Sequence, residues 1–140
     1  RSRLCSTPPE GGYAPEHVNV IAQRHDPDSL LAHIRLLVTR YRSSPEIGWG
    51  ELELLDHDVP AVLAHSVRSD TGRMVALHNL SDDPAVVEFR VPETAAGDQL
   101  VDILVDGRTV ELDGEPVSVP LDGYGYRWFR VISPHGKRLG

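Results

Sequence analysis

The feature that most constrains the fold is a change of hydrophobic period after residue 50. From there, short runs in which apolar and polar residues alternate are separated by clusters of Gly, Pro, Asp and Ser. Alternation with a period of two is typical of strands buried on one side, and turns spaced about 8 to 12 residues apart are typical of antiparallel sandwiches. The sequence therefore predicts a mainly β fold, an antiparallel two-sheet β-sandwich of about eight strands.

Turn residues bound the predicted strands. Ser69-Asp70-Thr71-Gly72 closes one predicted hairpin, and Asp106-Gly107 is a strong two-residue signal for another. Strands are expected at residues 51–55, 61–68, 73–79, 85–91, 100–105, 109–112, 117–121 and 126–132. The side chains expected to point inward are Leu52, Leu54, Val62, Ala64, Val75, Leu77, Val87, Phe89, Val101, Ile103, Val117, Val119, Phe129 and Val131. A slip of one residue would invert the faces of a strand.

One amphipathic helix, predicted over residues 26–44, precedes the strands. We expect Asp26 to cap its first turn and Pro27 to occupy the first helical position, and Pro45 forbids continuation. At about 100° per residue, the apolar side chains fall on roughly a third of the circumference. This stripe consists of Leu30, Leu31, Ile34, Leu37, Val38 and Tyr41, and it must pack against protein.

These patterns divide the chain into four segments. Residues 1–25 are expected to be an irregular lead-in with a short extended segment at 17–21, because Pro8-Pro9 and Gly11-Gly12 interrupt any period. The helix covers 26–44, the sandwich 49–133, and a polar tail 134–140.

Length and charge exclude several classes of protein. A chain of 140 residues is too short for a catalytic (β/α)₈ barrel, which takes about 250 residues. The net charge of -7 argues against nucleic acid or an anionic membrane as partner, since both attract clustered Lys and Arg. No apolar run approaches the roughly 20 residues that span a bilayer, and no signal peptide opens the sequence. A lone Cys5 fits a reducing compartment, so we expect a cytoplasmic protein.

Two long motifs resemble a known family. They are the run from His17 to Gly50, which ends in Pro-Glu-Ile-Gly-Trp-Gly, and the run from Gly123 to Val131, and His78-Asn79-Leu80 matches between them. This pattern resembles the end of the catalytic barrel and the following β-domain in trehalose synthases, which are maltose glucosyltransferases of the α-amylase superfamily, glycoside hydrolase family 13.

The resemblance implies a non-catalytic domain. In that family the nucleophilic Asp, the acid/base Glu and a third Asp lie upstream of the matching region, and none has a counterpart in this chain. The parent enzyme would be a retaining α-glucosidase or α-glucosyltransferase that interconverts maltose and trehalose or hydrolyses α-glucosides. Its (β/α)₈ barrel would be the partner that this domain covers and stabilises.

Other site chemistry has weak support in the sequence. Glu51, Glu53 or Asp58 could form an acidic site, and Asp56, Asp58 and a loop carbonyl could hold calcium, but a solvated strand edge explains these acids better. His65 and His78 are expected to face each other across a hairpin as a polar pair rather than as metal ligands. We expect no catalytic residue, no metal and no cofactor.

Aromatic residues are the remaining candidates for binding. Trp49, Tyr126 and Trp128 could stack on an α-glucan or a maltose-type sugar, which would make the domain a sugar-binding module. Alternatively, Trp49 plugs the joint between helix and sheet, and Tyr126 and Trp128 share an interface face of the last strand. The side chains expected at an interface with the barrel are Leu30, Ile34, Leu37, Tyr41, Trp49 and Trp128.

Overall fold

The computed structural model describes residues 7–105 and 108–134. Its helical elements are a 3₁₀ turn at Gly11–Tyr13 and the helices α1 (Val20–Arg24), α2 (Leu30–Arg42) and α3 (Glu46–Trp49). The strands are β1 (Glu51–Leu54), β2 (Val62–Ser69), β3 (Gly72–Asn79), β4 (Ala85–Phe89), β5 (Asp98–Asp102), β6 (Thr109–Leu112), β7 (Val117–Leu121) and β8 (Tyr126–Ile132). The predicted turn at Asp106-Gly107 lies outside the described residues. The chain divides into two compact units, Arg1–Thr39 and Arg40–Gly140.

The first unit contains a helix that the sequence analysis missed. Residues 20–24 form α1, where an irregular lead-in with an extended segment at 17–21 was expected. The Asn19 side chain caps α1 by accepting a hydrogen bond from the Ala22 amide at 2.9 Å. A five-residue helix is too short to show a helical period, so only this cap could have indicated it.

Helix α2 begins at Leu30, four residues later than the predicted start at Asp26. The Ser29 hydroxyl accepts from the Ala32 amide at 3.2 Å, and the Gln23 side chain accepts from the Leu31 amide at 3.0 Å. Asp26 instead accepts from the Asp28 amide at 2.9 Å, which makes a turn. The predicted Asp26 cap is therefore wrong, because α1 ends close before α2 and the chain must turn between them.

The second unit is an antiparallel sandwich, as predicted. One sheet has the strand order β1-β2-β3-β8-β5-β6, and the other pairs β4 with β7. Every pairing is antiparallel. Both sheets contribute to one core, which includes Val75, Leu77 and Phe129 from the large sheet and Val87 and Val119 from the small one.

The predicted faces of two strands are wrong. Leu52 and Leu54 are each 65% exposed, because Leu55 is the residue of this segment that enters the core, and strand side chains alternate. In β5, Leu100 is fully buried, whereas Val101 and Ile103 are only partly buried. Here the polar Asp98 and Asp102 take inward positions, which an apolar pattern cannot indicate.

The buried Arg73, on the core side of the large sheet, is paired with polar side chains. Arg73 donates to Ser66 Oγ at 3.0 Å, Glu93 Oε2 at 3.0 Å and Glu53 Oε2 at 3.3 Å. Arg68 donates to the same Glu93 oxygen at 2.6 Å. Glu53 was expected to lie on a solvated face with Glu51, and both are exposed, but the Glu53 carboxylate also contacts the buried Arg73.

Candidate functional site

The candidate site is the outer face, defined as the side of β1, β2, β3 and β8 opposite the core. Cross-strand partners share a face, and the register places Leu54, His65, Ala76 and Trp128 in one row across four strands. The neighbouring rows on this face hold Leu52, Val67, Met74 and Arg130, and Leu63, His78 and Tyr126.

Part of the outer face is apolar and open to solvent. Leu52 and Leu54 are exposed, and Leu63 is 42% exposed. Clustered leucines at such exposure are typical of surfaces that contact another protein.

The segment from Ser43 to Gly50 is fixed to the outer face by Arg130. One guanidinium nitrogen of Arg130 donates to the Ser43 carbonyl at 2.8 Å, to Ser44 Oγ at 3.1 Å and to Glu46 Oε2 at 3.4 Å. Both Ser44 and Glu46 are buried. The buried carboxylate and the arginine hold α3 against β2 and β3.

This attachment directs Trp49 outward. Gly50 donates its amide to the Glu46 carbonyl at 2.8 Å, and a Cβ at residue 50 would lie 2.6 Å from the Arg68 carbonyl oxygen. With the backbone held this tightly, the Trp49 side chain is 92% exposed. The expectation that Trp49 plugs a joint is therefore wrong.

A second feature of the outer face is a cleft of about 190 Å³ beside Trp128. Its lining is Tyr41, Ile47, His65, Val67, Met74, Ala76, His78 and Trp128. Trp128 Nε1 and His65 Nδ1 are buried and have no hydrogen-bond partner within residues 7–105 and 108–134. The cleft is mainly apolar, and it is smaller than the roughly 300 Å³ at which pockets for drug-sized ligands begin.

His65 and His78 stack beside this cleft. Their ring centroids are 6.0 Å apart, and Tyr126 continues the stack 6.1 Å from His78. Burial lowers the pKa of both histidines, and the neighbouring His65 lowers the pKa of His78 further. The two rings thus lie together as expected, and the described residues contain no group of three potential metal-ligating side chains.

Two of the motifs that carry the resemblance, His78-Asn79-Leu80 and the run that begins at Gly123, meet at one corner of the sandwich. Asn79 Nδ2 donates to the carbonyls of Asp83 at 2.7 Å and Asp122 at 2.9 Å, and its Oδ1 accepts from the amide and hydroxyl of Ser81. A Cβ at Gly123 would lie 2.0 Å from the Asp82 carbonyl oxygen. These motif residues stabilise a turn and do not form a site.

Comparison with known proteins shows which domains this chain is similar to. Residues 72–130 match the model of the "Sucrose hydrolase-like, C-terminal domain" family. Over 134 residues the chain is 35% identical to the trehalose synthase of Pimelobacter sp., a match that covers 87% of this chain and 22% of the relative. These matches fit a C-terminal domain of a trehalose synthase-like enzyme.

Solved structures show the same fold. The trehalulose synthase MutB of Pseudomonas mesoacidophila superposes with a TM-score of 0.60 at 18% identity, covering 85% of this chain and 21% of that one. A variant of the isomaltulose synthase of Erwinia rhapontici gives 0.61 at 14% identity, covering 86% and 21%. The domain thus spans about a fifth of the length of the relatives it matches, and the resemblance found in the sequence is confirmed.

The predicted interface residues are distributed over the two units. Leu30 and Ile34 are exposed and Leu37 is half-buried in the first unit, whereas Tyr41, Trp49 and Trp128 belong to the second. Within the second unit, Tyr41 and Trp128 line the same cleft, and Trp49 lies outside its lining.

The sequence analysis missed the leucines of the outer face. Leu52 and Leu54 were assigned to the core because alternating Glu and Leu favours inward leucines. Leu55 is the signal that could have revealed them. Side chains two residues apart share a strand face, so an inward Leu55 places Glu51 and Glu53 on the core side and turns Leu52 and Leu54 outward.

None of the helices that the structure describes is long and apolar enough to cross a membrane.

Proposed function

We propose that this chain is the non-catalytic C-terminal β-domain of a trehalose synthase-like enzyme and that its outer face covers and stabilises the catalytic barrel. The observation that carries the proposal is the apolar outer face, where Leu52 and Leu54 are each 65% exposed. Exposing such an apolar surface to water is unfavourable for a free domain, and burial against a protein partner accounts for it. The cleft beside Trp128 offers that partner a recess the size of one side chain.

The acidic residues of the sandwich that contact arginines support a non-catalytic role. A retaining glycosidase needs two carboxyl groups about 5 to 5.5 Å apart, one free to attack and one free to donate a proton. Glu53 and Glu93 instead contact Arg73, and the buried Glu46 contacts Arg130. We therefore assign the parent reaction, maltose–trehalose interconversion or α-glucoside hydrolysis, to the barrel. We also place the protein in the cytoplasm.

Two measurements test this proposal. The purified chain, incubated with maltose and with a chromogenic α-glucoside, should give no product. An antibody raised against it should detect in cells a polypeptide four to five times as long, since the match covers 22% of the relative. Turnover by the purified chain, or a cellular protein of the chain's own size, would contradict the proposal.

A sugar-binding module is the second candidate function. It is favoured by the 92% exposure of Trp49, an indole ring with nothing covering either face. The parent enzyme's substrates are sugars under the first proposal, so the two functions are compatible.

A further inference from the structure

A second surface, separate from the cleft, surrounds Trp49. It is an open groove of about 500 Å³ at the end of the β2–β3 hairpin, formed with Glu51, Arg68, Ser69, Asp70 and Thr71. This volume lies within the roughly 300 to 1,000 Å³ of small-molecule sites. The groove therefore has room for a ligand of about two sugar rings.

The surroundings of Trp49 differ from those of a protein contact. Anchor residues of protein interfaces are normally enclosed by apolar neighbours that exclude water. Here one neighbour, Pro45, is apolar, and the others carry two carboxylates, a guanidinium and two hydroxyls. An apolar ring face within polar groups matches a pyranose, which presents C–H groups on one face and hydroxyls around its rim.

The carboxylates are available to a ligand. Within the described part of the chain, Glu51 and Asp70 have no hydrogen-bond or ion-pair partner, whereas Arg68 is held by Glu93 and Ser69 is held by Thr71. Ionised carboxylates accept short hydrogen bonds from hydroxyl groups. Glu51 and Asp70 can thus bind the rim of a sugar whose face lies on Trp49.

The ring is also held before any ligand arrives. Arg130 fixes the start of α3, and Gly50 fixes its end against the Arg68 carbonyl. Only the side-chain torsions of Trp49 remain free, so little conformational entropy is lost when a ligand binds.

We propose that the Trp49 groove binds a neutral glucose oligomer by stacking on the indole and by hydrogen bonds to Glu51 and Asp70. The proposed site binds its ligand and catalyses no reaction. It deepens the second candidate function and does not depend on the barrel-covering role.

The test is titration of the intact chain with maltoheptaose, followed by isothermal calorimetry and by the indole N–H resonances. We expect saturable millimolar binding that shifts the Trp49 resonance more than that of Trp128. Trp49→Ala should weaken binding at least tenfold, and Asp70→Asn should weaken it severalfold, with the unfolding temperature unchanged because both side chains are exposed.

Tyr124→Ala is the matched control, because this tyrosine is 69% exposed at the Asn79 corner, outside the groove. It should bind maltoheptaose within twofold of the unchanged chain. Undiminished binding by Trp49→Ala, or the absence of saturable binding, would overturn the site. Neither result would affect the barrel-covering proposal, which the size of the cellular protein decides.

Discussion

At the scale of single residues, the Asn79 side chain stands out because it makes four hydrogen bonds around one turn. Its amide joins the 79–83 turn to the loop at Asp122, and the side chain is buried. We expect Asn79→Ala to lower the free energy of unfolding by about 2 to 3 kcal/mol, because the Ser81 amide loses its acceptor and the carbonyls of Asp83 and Asp122 each lose a donor. Urea denaturation measures this. Ser118→Ala, at an exposed strand position, should change stability by less than about 0.5 kcal/mol.

The stacked histidines give the fold a pH dependence. Burial lowers the pKa of His65 and His78 below the unfolded value of 6.5, so the native state favours their neutral forms. The unfolded chain then binds more protons, and stability that is full above pH 6.5 is lost as pH falls through the native pKa values. The phenols of Tyr41 and Tyr126 also lie beside these rings.

Urea denaturation above pH 7 and near pH 5.5 measures this effect. We expect the His65→Gln/His78→Gln variant to lose less stability between these two pH values than the unchanged chain. His17→Gln, at an exposed position outside the cleft, should leave the difference as it was. An equal loss in the double variant would show that other groups cause the pH dependence.

At the scale of elements, α3 depends on one arginine. Removal of Arg130 leaves the carboxylate of Glu46 buried without a counter-charge, and Ser44 loses a donor. We expect Arg130→Met to cost about 3 kcal/mol, the lower end for a broken buried ion pair because Arg130 is partly exposed. Adding Glu46→Gln removes the unpaired buried charge, so it should recover part of the lost stability, which thermal denaturation measures. A double variant less stable than Arg130→Met would contradict the pairing.

How well the elements could be predicted depended on local chemistry. The strands from β2 to β8 were found close to their predicted positions, since each is bounded by Gly, Pro, Asp or Ser turns. The faces of β1 and β5 could not be predicted, because outward leucines and inward aspartates reverse the ordinary pattern. Helix α1 was missed for its shortness, and the groove at Trp49 depends on contacts of Arg130 with residues more than 80 positions away.

At the scale of the whole molecule, the outer face should determine how the isolated chain behaves. We expect Leu52→Asp/Leu54→Asp to reduce fluorescence of a hydrophobic dye and self-association at high concentration, because it removes the exposed apolar patch. Stability should change by less than about 0.5 kcal/mol per site, since both side chains are largely in solvent. Val86→Asp, an exposed substitution on the small sheet, is the control and should leave dye binding unchanged. Equal effects from both variants would contradict a localised patch.

The strand order has a consequence for synthesis. The last strand, β8, lies between β3 and β5 in the middle of the large sheet. A nascent chain on the ribosome therefore holds two separate strand groups with open edges until residues 126–132 have emerged. Only then can the two groups join, so residues 126–132 must have been translated before the sandwich closes, and a chaperone that shields unpaired edges would act before that moment.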